Sequence, residues 1–240
     1  AAWNFAPKHV LIIGKGISYS QYLTYKAAPF STYPFYAVPS FGHPCSDVLL
    51  TDFDMNNKCQ LSTGRLPVMN PSEIRDYLQK VQDHEFELNK PLVQVSDSTM
   101  WRKRVLHLAG TKDAAEQASI VAYLNIQSAI MSNPNFGANV SLLKKGSTQS
   151  VELANSKIVD DLFNGGVSLI QFFGHSSSTT LDYNLDFPDN YVNYKRYNTF
   201  IANGCSAGDM FILQGGKSLG ERFVFAPNKG SIAFIASDNT

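Results

Sequence analysis

The chain has 240 residues, 44% of them hydrophobic and 17% charged, enough to bury a core of domain size without help. Twenty basic and 20 acidic side chains cancel, with no polybasic block, which argues against nucleic acid or an anionic membrane as a partner. No apolar stretch approaches the roughly 20 residues needed to span a bilayer, and the opening AAWNF, without Met or a signal-peptide pattern, reads as an excised or processed segment.

In chain order, HVLIIGKG (9–16) is a short β-branched run ending in glycines, the pattern of a buried parallel strand with a loop at its carboxyl end. FYAVPSFG (35–42) is a second strand candidate. NPSEIRDYLQKVQDHEFEL (70–88) predicts a helix: Asn70 is the N-cap, Pro71 the first helical residue and Glu73 the residue reaching back, with Ile74, Tyr77, Leu78 and Val81 at helical spacing. The polar stretch 89–100 reads as a linker, which divides the chain into expected domains 1–98 and 99–240.

The pattern then restarts. WRKRVLHLAG (101–110) is a strand and DAAEQASIVAYLNIQSAIM (113–131) a helix, followed by a strand near 140–145 and a helix over 151–163 closed by Gly165-Gly166. GVSLIQFFGH (166–175) and NTFIANGC (198–205) are apolar strands. A helix near 218–226 and a strand over 230–237 complete the chain. Alternating strands and helices, with strands that do not alternate in polarity, predict an α/β fold: mostly parallel sheets with helices on both faces. Ligands of such sheets bind beyond the carboxyl ends of the strands.

Several local motifs fail on spacing. GKGISY (14–19) lacks the third dinucleotide-binding glycine, where Tyr19 stands, and GGKS (215–218) would need a glycine at Phe211 to be a phosphate loop. TDFDMNN (51–57) carries Asp52, Asp54 and Asn56 but has Asn57 and Thr63 where an EF-hand needs Gly and Glu. An irregular oxygen cage remains, so Asp52 and Asp54, and Asp182 and Asp186 further on, are candidate ligands of a structural calcium ion; no other cofactor is expected. His43, Cys45 and Cys59 are too few for a recognised zinc site. A Cys45–Cys59 disulfide is an option outside the cytosol, and it would leave Cys205 as the odd thiol.

Chemistry concentrates at two strand ends, FFGH finishing at His175 and FIANGC finishing at Cys205. Consecutive strands of a doubly wound sheet commonly lie side by side, which would bring a thiol and an imidazole to one edge as nucleophile and general base. Gly174 and Gly204 permit close backbone approach, and the small residues around them leave amides uncovered for an oxyanion. A helix starting after Cys205 would also favour the thiolate. On the residues alone, Cys205 stays open between a core filler and a nucleophile.

These blocks resemble the paired motifs of the caspase-like cysteine peptidases, an apolar strand ending in His and another ending in a small residue and Cys. More closely, FFGHSSSTT, FIANGCSAGD, KGSIAFIAS, TGRLPVMNPSEIRDYLQKV and WRKRVLHLAG are similar, in order, to segments of the gingipain family and of its PorU-type sortases of the type IX secretion system. VPSFGHPCSDVLLTDFD is similar to the segment that precedes the Gly-Arg motif in the sortase branch.

The resemblance implies a gingipain-like fold of two side-by-side subdomains, the second truncated at its carboxyl end. By the same likeness the activity is that of an extracytoplasmic cysteine endopeptidase or transpeptidase. His175 is carried over as base and acid, Cys205 as nucleophile, and the backbone at Gly174, Ser176 and Gly204 as the oxyanion region. The family has glycine where Ser176 stands. It also has an acid orienting the histidine after the strand that here reads VLHLAG, and Asp113 and Glu116 are the candidates for it. Arg65 is expected to be a structural ion-pair partner. Expected partners are protein or peptide substrates, including carboxyl-terminal sorting domains, with the protein secreted, periplasmic or on a bacterial outer-membrane surface. The alternative is a catalytically impaired component of the secretion system or cell surface that acts by binding proteins.

Overall fold

A computed structural model describes residues 6–26, 40–56, 58–91, 97–146, 153–183, 185, 187–212 and 216–239. Asp186 and residues 35–39 of the second strand candidate lie outside these. The chain groups into two compact units, residues 1–74 with 210–215 and residues 75–209 with 216–240. Among the described residues no helix is long and apolar enough to cross a membrane.

In the smaller unit, strands β1 (His9–Ile13) and β2 (Ser62–Leu66) pair in parallel. The short helix α1 (Tyr19–Lys26), which the sequence pattern did not suggest, follows β1. The side chain of Arg65 on β2 is buried and grips both oxygens of Asp47, Nε to Oδ2 at 2.6 Å and Nη2 to Oδ1 at 2.8 Å, while Nη1 donates to the Gly14 carbonyl at 3.1 Å. The planar guanidinium matches a carboxylate in two bonds at once, so the pair ties β2 to the loop before it. Arg65 is therefore structural, as the sequence suggested.

The larger unit carries a five-stranded parallel sheet in the order β4-β3-β5-β6-β7, with β3 Arg104–Gly110, β4 Asn139–Lys144, β5 Leu169–Gly174, β6 Asn198–Asn203 and β7 Ser231–Ala236. Between them run the helices α4 (Ala114–Met131), α5 (Leu153–Gly165) and α6 (Leu219–Phe225). Alternation along each strand sorts the side chains by face. Leu106, Leu108, Ile170, Phe172, Phe200 and Ala202 pack with Val159 and Phe163 of α5 and Leu219 and Phe223 of α6. Ala109, Leu142 and Phe173 face the other way, onto Ile120 and Leu124 of α4. Both faces are thus covered by helix.

The helix α2 (Pro71–Leu88) begins as its sequence indicates, with Asn70 Oδ1 accepting from the amides of Ser72 and Glu73, and Glu73 Oε2 accepting from Met69. Its inner face differs from the apolar spacing: Leu78 is 52% exposed, whereas Lys80 is 1% exposed. Lys80 Nζ donates to the carbonyls of Phe223, Val224 and Ser231 at 3.4, 2.9 and 3.0 Å, and Tyr77 donates to Ile232 O at 2.9 Å. A buried cation is tolerated because the unpaired carbonyls at the end of α6 and the start of β7 take its protons. A four-residue helix α3 (Asp97–Met100) leads into β3.

Candidate active site

Three parallel strands end together, β3 and β5 at glycines and β6 just before one. Gly110 of β3 is in register with Gly174 of β5, and Phe173 with Asn203 of β6. A side chain at Gly174 would put its Cβ 2.0 Å from Gly110 O, and one at Gly204 would lie 2.3 Å from Ser176 Oγ. The absent Cβ atoms let the strand ends close on each other, and the next residues on β5 and β6 are His175 and Cys205. His175 stands two positions past Phe173, which lies on the α4 side of the sheet, and its side chain turns toward that helix.

His175 is anchored through its main chain. Its amide donates to Gly110 O at 2.9 Å and its carbonyl accepts from Asp182 N at 2.8 Å. Its Nε2 lies 3.0 Å from Oε2 of Glu116, at the third position of α4. Asp113, the N-cap of α4, accepts from the Glu116 amide at 2.8 Å. The two candidate acids therefore separate: Asp113 starts the helix and Glu116 meets the imidazole. Glu116 Oε2 also accepts from the hydroxyl of Thr111. That bond first, and the His175 bond second, hold the Glu116 carboxyl below the usual range against desolvation and the Asp113 carboxylate.

Cys205 is half-buried and lies in a turn, residues 205–208, rather than at the start of a helix. The turn is fixed by Ser206 N to Asn239 O at 3.1 Å, Gly208 N to Ser237 O at 2.8 Å and Asp209 N to Ser206 O at 3.0 Å, and Ala207 is buried beneath it. Ser206, directly after the cysteine, sits at φ 55°. A non-glycine residue there costs of order 1 kcal/mol, strain that clusters at functional turns. Ser176 itself is not among the positive-φ residues, so serine is accommodated after His175 without that cost. Its Oγ donates to Cys205 O at 2.7 Å.

A cleft of ≈ 570 Å³ opens beside these strand ends, lined by Ser119, Ile120, Tyr123, Phe173 and Asn203. Ser119, Ile120 and Tyr123 follow Glu116 at helical spacings of three, four and seven, so they share its face of α4. Tyr123 meets Phe173 edge to face with centroids 5.7 Å apart. Among the described residues no charged side chain lines the cleft. The sequence pattern did not single out these residues, although counting two back from His175 and Cys205 finds Phe173 and Asn203; Thr111 stood out only as a position after the strand that lacks the expected acid.

Among the described residues the calcium candidates are engaged by other partners. Asp182 pairs with Lys145 at 2.5 Å and Lys112 at 4.0 Å. Asp52 Oδ1 accepts from the Asn56 amide and Asp54 Oδ2 from its side chain, each at 3.1 Å. Among the described residues no group of three or more acidic, His or Cys side chains is arranged to hold a metal ion. No disulfide forms among them either, and Cys59 and Cys205 carry free thiols.

The sequence matches the family described as Peptidase family C25 over residues 1–240. No curated protein matches it. Among solved structures it is similar to the Arg-specific cysteine proteinase gingipain R, at a TM-score of 0.67 and 17% identity, over 97% of this chain and 49% of that one. A complex of Porphyromonas gingivalis RgpB pro- and mature domains gives a TM-score of 0.68 at 16% identity, over 98% and 50%. A structure described as a protease gives 0.62 at 19%, over 82% and 40%. At these identities the likeness establishes the fold, and the chain spans about half the length of these relatives or less.

Proposed function

The chain belongs to peptidase family C25, and on that premise we propose that it is a cysteine endopeptidase in which Cys205 is the nucleophile, His175 the general base and acid, and Glu116 the carboxylate that orients the imidazole. The observation that carries this reading is the Glu116–His175 contact at 3.0 Å, on a strand end adjacent to the one that presents Cys205. Glu116 engages Nε2, which leaves Nδ1 to take the thiol proton.

The thiolate attacks the peptide carbonyl carbon, and the oxyanion is met by the amides of Ser176 and Cys205, which make none of the turn bonds described above. The protonated imidazole then gives its proton to the leaving amine, the C–N bond breaks, and a thioester to Cys205 remains. Water, deprotonated by His175, attacks the thioester, releasing a carboxylic acid and restoring the thiol. An amine acceptor in place of water gives a new amide with the same proton bookkeeping.

The finer reading follows the resemblance to PorU-type sortases: an extracytoplasmic enzyme that removes a carboxyl-terminal sorting domain and passes the acyl group to an amine. The uncharged, aromatic lining of the cleft supports a preference for an uncharged substrate side chain next to the scissile bond. A binding-only role drew its motive from Ser176 and from the lack of an acid at the end of β3; Glu116 on α4, and a Ser176 free of positive φ, weaken that motive.

The test uses the purified protein and its Cys205→Ala, His175→Ala and Glu116→Gln variants, with a peptide library, a thiol-alkylating probe and a chimeric sorting-domain substrate with and without an amine acceptor. Cleavage and fast labelling of the wild type, lost in Cys205→Ala and slowed in His175→Ala, is the expected result. Equal labelling of wild type and His175→Ala with no cleavage of any peptide would sink the reading. Amide product formed with the acceptor separates transfer from hydrolysis.

A further inference from the structure

The carboxylate that orients His175 is itself held. Thr111 follows Gly110 at the mouth of β3 and is 1% exposed. Its hydroxyl donates to Glu116 Oε2, the same oxygen that meets Nε2 of His175 at 3.0 Å. Thr111 Oγ1 accepts in turn from the Asp113 amide at 3.3 Å. Gln117 Nε2 donates to Thr111 O at 3.4 Å and to Lys145 O at 2.6 Å, which ties the Thr111 main chain to the end of β4. A hydroxyl has one proton. With that proton on Glu116 and a lone pair engaged by Asp113, the hydroxyl points in a fixed direction.

We propose that Thr111 is a positioning residue for the imidazole, a buried hydroxyl that fixes the Glu116 carboxylate so that Oε2 is presented to His175 Nε2. The inference rests on the proposed roles of Glu116 and His175.

The physical need for such a clamp lies in exposure. The Glu116 and His175 side chains are 38% and 64% exposed, and an unsupported contact between flexible, solvated side chains contributes little. Glutamate also has three side-chain torsions to restrain. One bond from a buried hydroxyl on a strand end removes most of that freedom, because the donor is rigid while the acceptor is not. The strand end cannot provide the carboxylate itself, since Thr111 stands there. The acid therefore comes from the first turn of α4, and the strand provides the hydroxyl that places it.

The charged groups around Glu116 agree with this. His175 faces it from β5, and Asp113 from its own helix start opposes ionisation. Lys112 and Lys145 are directed to Asp182. The Thr111 bond is the largest influence lowering the Glu116 carboxyl, so its loss moves that carboxyl up, toward the ordinary range.

The experiment compares wild type with Thr111→Val, which keeps the shape and deletes the hydroxyl, and Thr111→Ser, which keeps the hydroxyl. Three quantities are read: the Glu116 carboxyl titration by ¹³C NMR, the His175 ring tautomer by ¹⁵N NMR, and the pH profile of kcat/KM on the best library peptide. Thr111→Val should titrate at higher pH at Glu116, lose the fixed His175 tautomer, and lose about tenfold in kcat with little change in KM; Thr111→Ser should restore all three. Thr111→Ala carries the same readouts if the valine variant does not fold. A valine variant whose Glu116 titration and His175 tautomer match wild type overturns the proposal. If both shift and return with serine, yet the wild type neither cleaves peptide nor labels at Cys205, the Thr111 clamp stands and the peptidase reading falls.

Discussion

The hydroxyl of Ser176 donates to the carbonyl oxygen of Cys205 at 2.7 Å, so the residue after the histidine clasps the backbone of the cysteine. The contact crosses from the end of β5 to the end of β6, beyond the last paired residues Phe173 and Asn203. It gives serine a reason to stand after the histidine: its side chain closes the gap between the two strand ends. Gly204 leaves the room for it, since a Cβ there would meet Ser176 Oγ.

Ser176→Ala should lower stability by about 1 kcal/mol, the worth of one partly buried neutral hydrogen bond, and slow alkylation of Cys205 severalfold. Thermal unfolding and the pseudo-first-order labelling rate read the two effects separately. An unchanged labelling rate would mean that the clasp holds the strand ends but not the thiol.

Glu116→Gln should leave the fold intact and reduce kcat by roughly 100-fold, the lower end of the range for a positioned acid–base pair. Because the Glu116 carboxyl is held below the usual range, the wild-type contact is present at neutral pH and is lost as pH falls through that lowered value. The acid limb attributable to Glu116 should therefore vanish in the glutamine variant.

Gly174→Ala places a Cβ 2.0 Å from Gly110 O, against backbone that cannot rotate away. The strands must part, so a stability loss of about 1–3 kcal/mol is expected, together with loss of the His175–Glu116 contact. Chemical denaturation and the His175 NMR signal test this.

Lys80→Met should destabilise by about 1–3 kcal/mol, because the carbonyls of Phe223, Val224 and Ser231 lose their donor. Burial pushes the Lys80 ammonium down to about 7, below its unfolded value near 10.4. Between those values the unfolded chain holds a proton that the folded one does not, so stability from this group rises with pH. The gap between wild type and Lys80→Met should widen from pH 7 to 10 in urea titrations.

Asn203→Asp places a carboxylate in the uncharged cleft and should move peptide preference toward Lys or Arg beside the scissile bond by about tenfold in kcat/KM. A library profile that does not change would show that the cleft does not receive the substrate side chain.

The sheet was readable from the sequence because its strands are continuous apolar runs punctuated by glycine, and because the alternation of helix and strand allows few topologies. The same reading placed His175 and Cys205 at adjacent strand ends, which the parallel pairing of β5 with β6 explains. Less legible was the inner face of α2, where apolar spacing pointed to Leu78 and burial chose Lys80; the cation's partners come from residues 223–231, far away in sequence. α1 went unnoticed because its eight residues bury none of their side chains. The role of Thr111 was invisible for a similar reason: its significance lies in the oxygen it shares with His175, a relationship that no spacing encodes. A turn, not a helix, follows Cys205, because the chain there is fixed by bonds to Ser237 and Asn239 rather than by capping.

The pairing of β5 with β6 also sets where the chain tolerates changes in length. Inserting or deleting one residue within 198–203 would rotate every later strand position to the opposite layer, turning Phe200 or Ala202 out of the α5 and α6 side. The segment 177–197 between the strands carries no such parity, so gains and losses of length between related chains should collect there, while the distance from Asn198 to Cys205 stays constant to the residue.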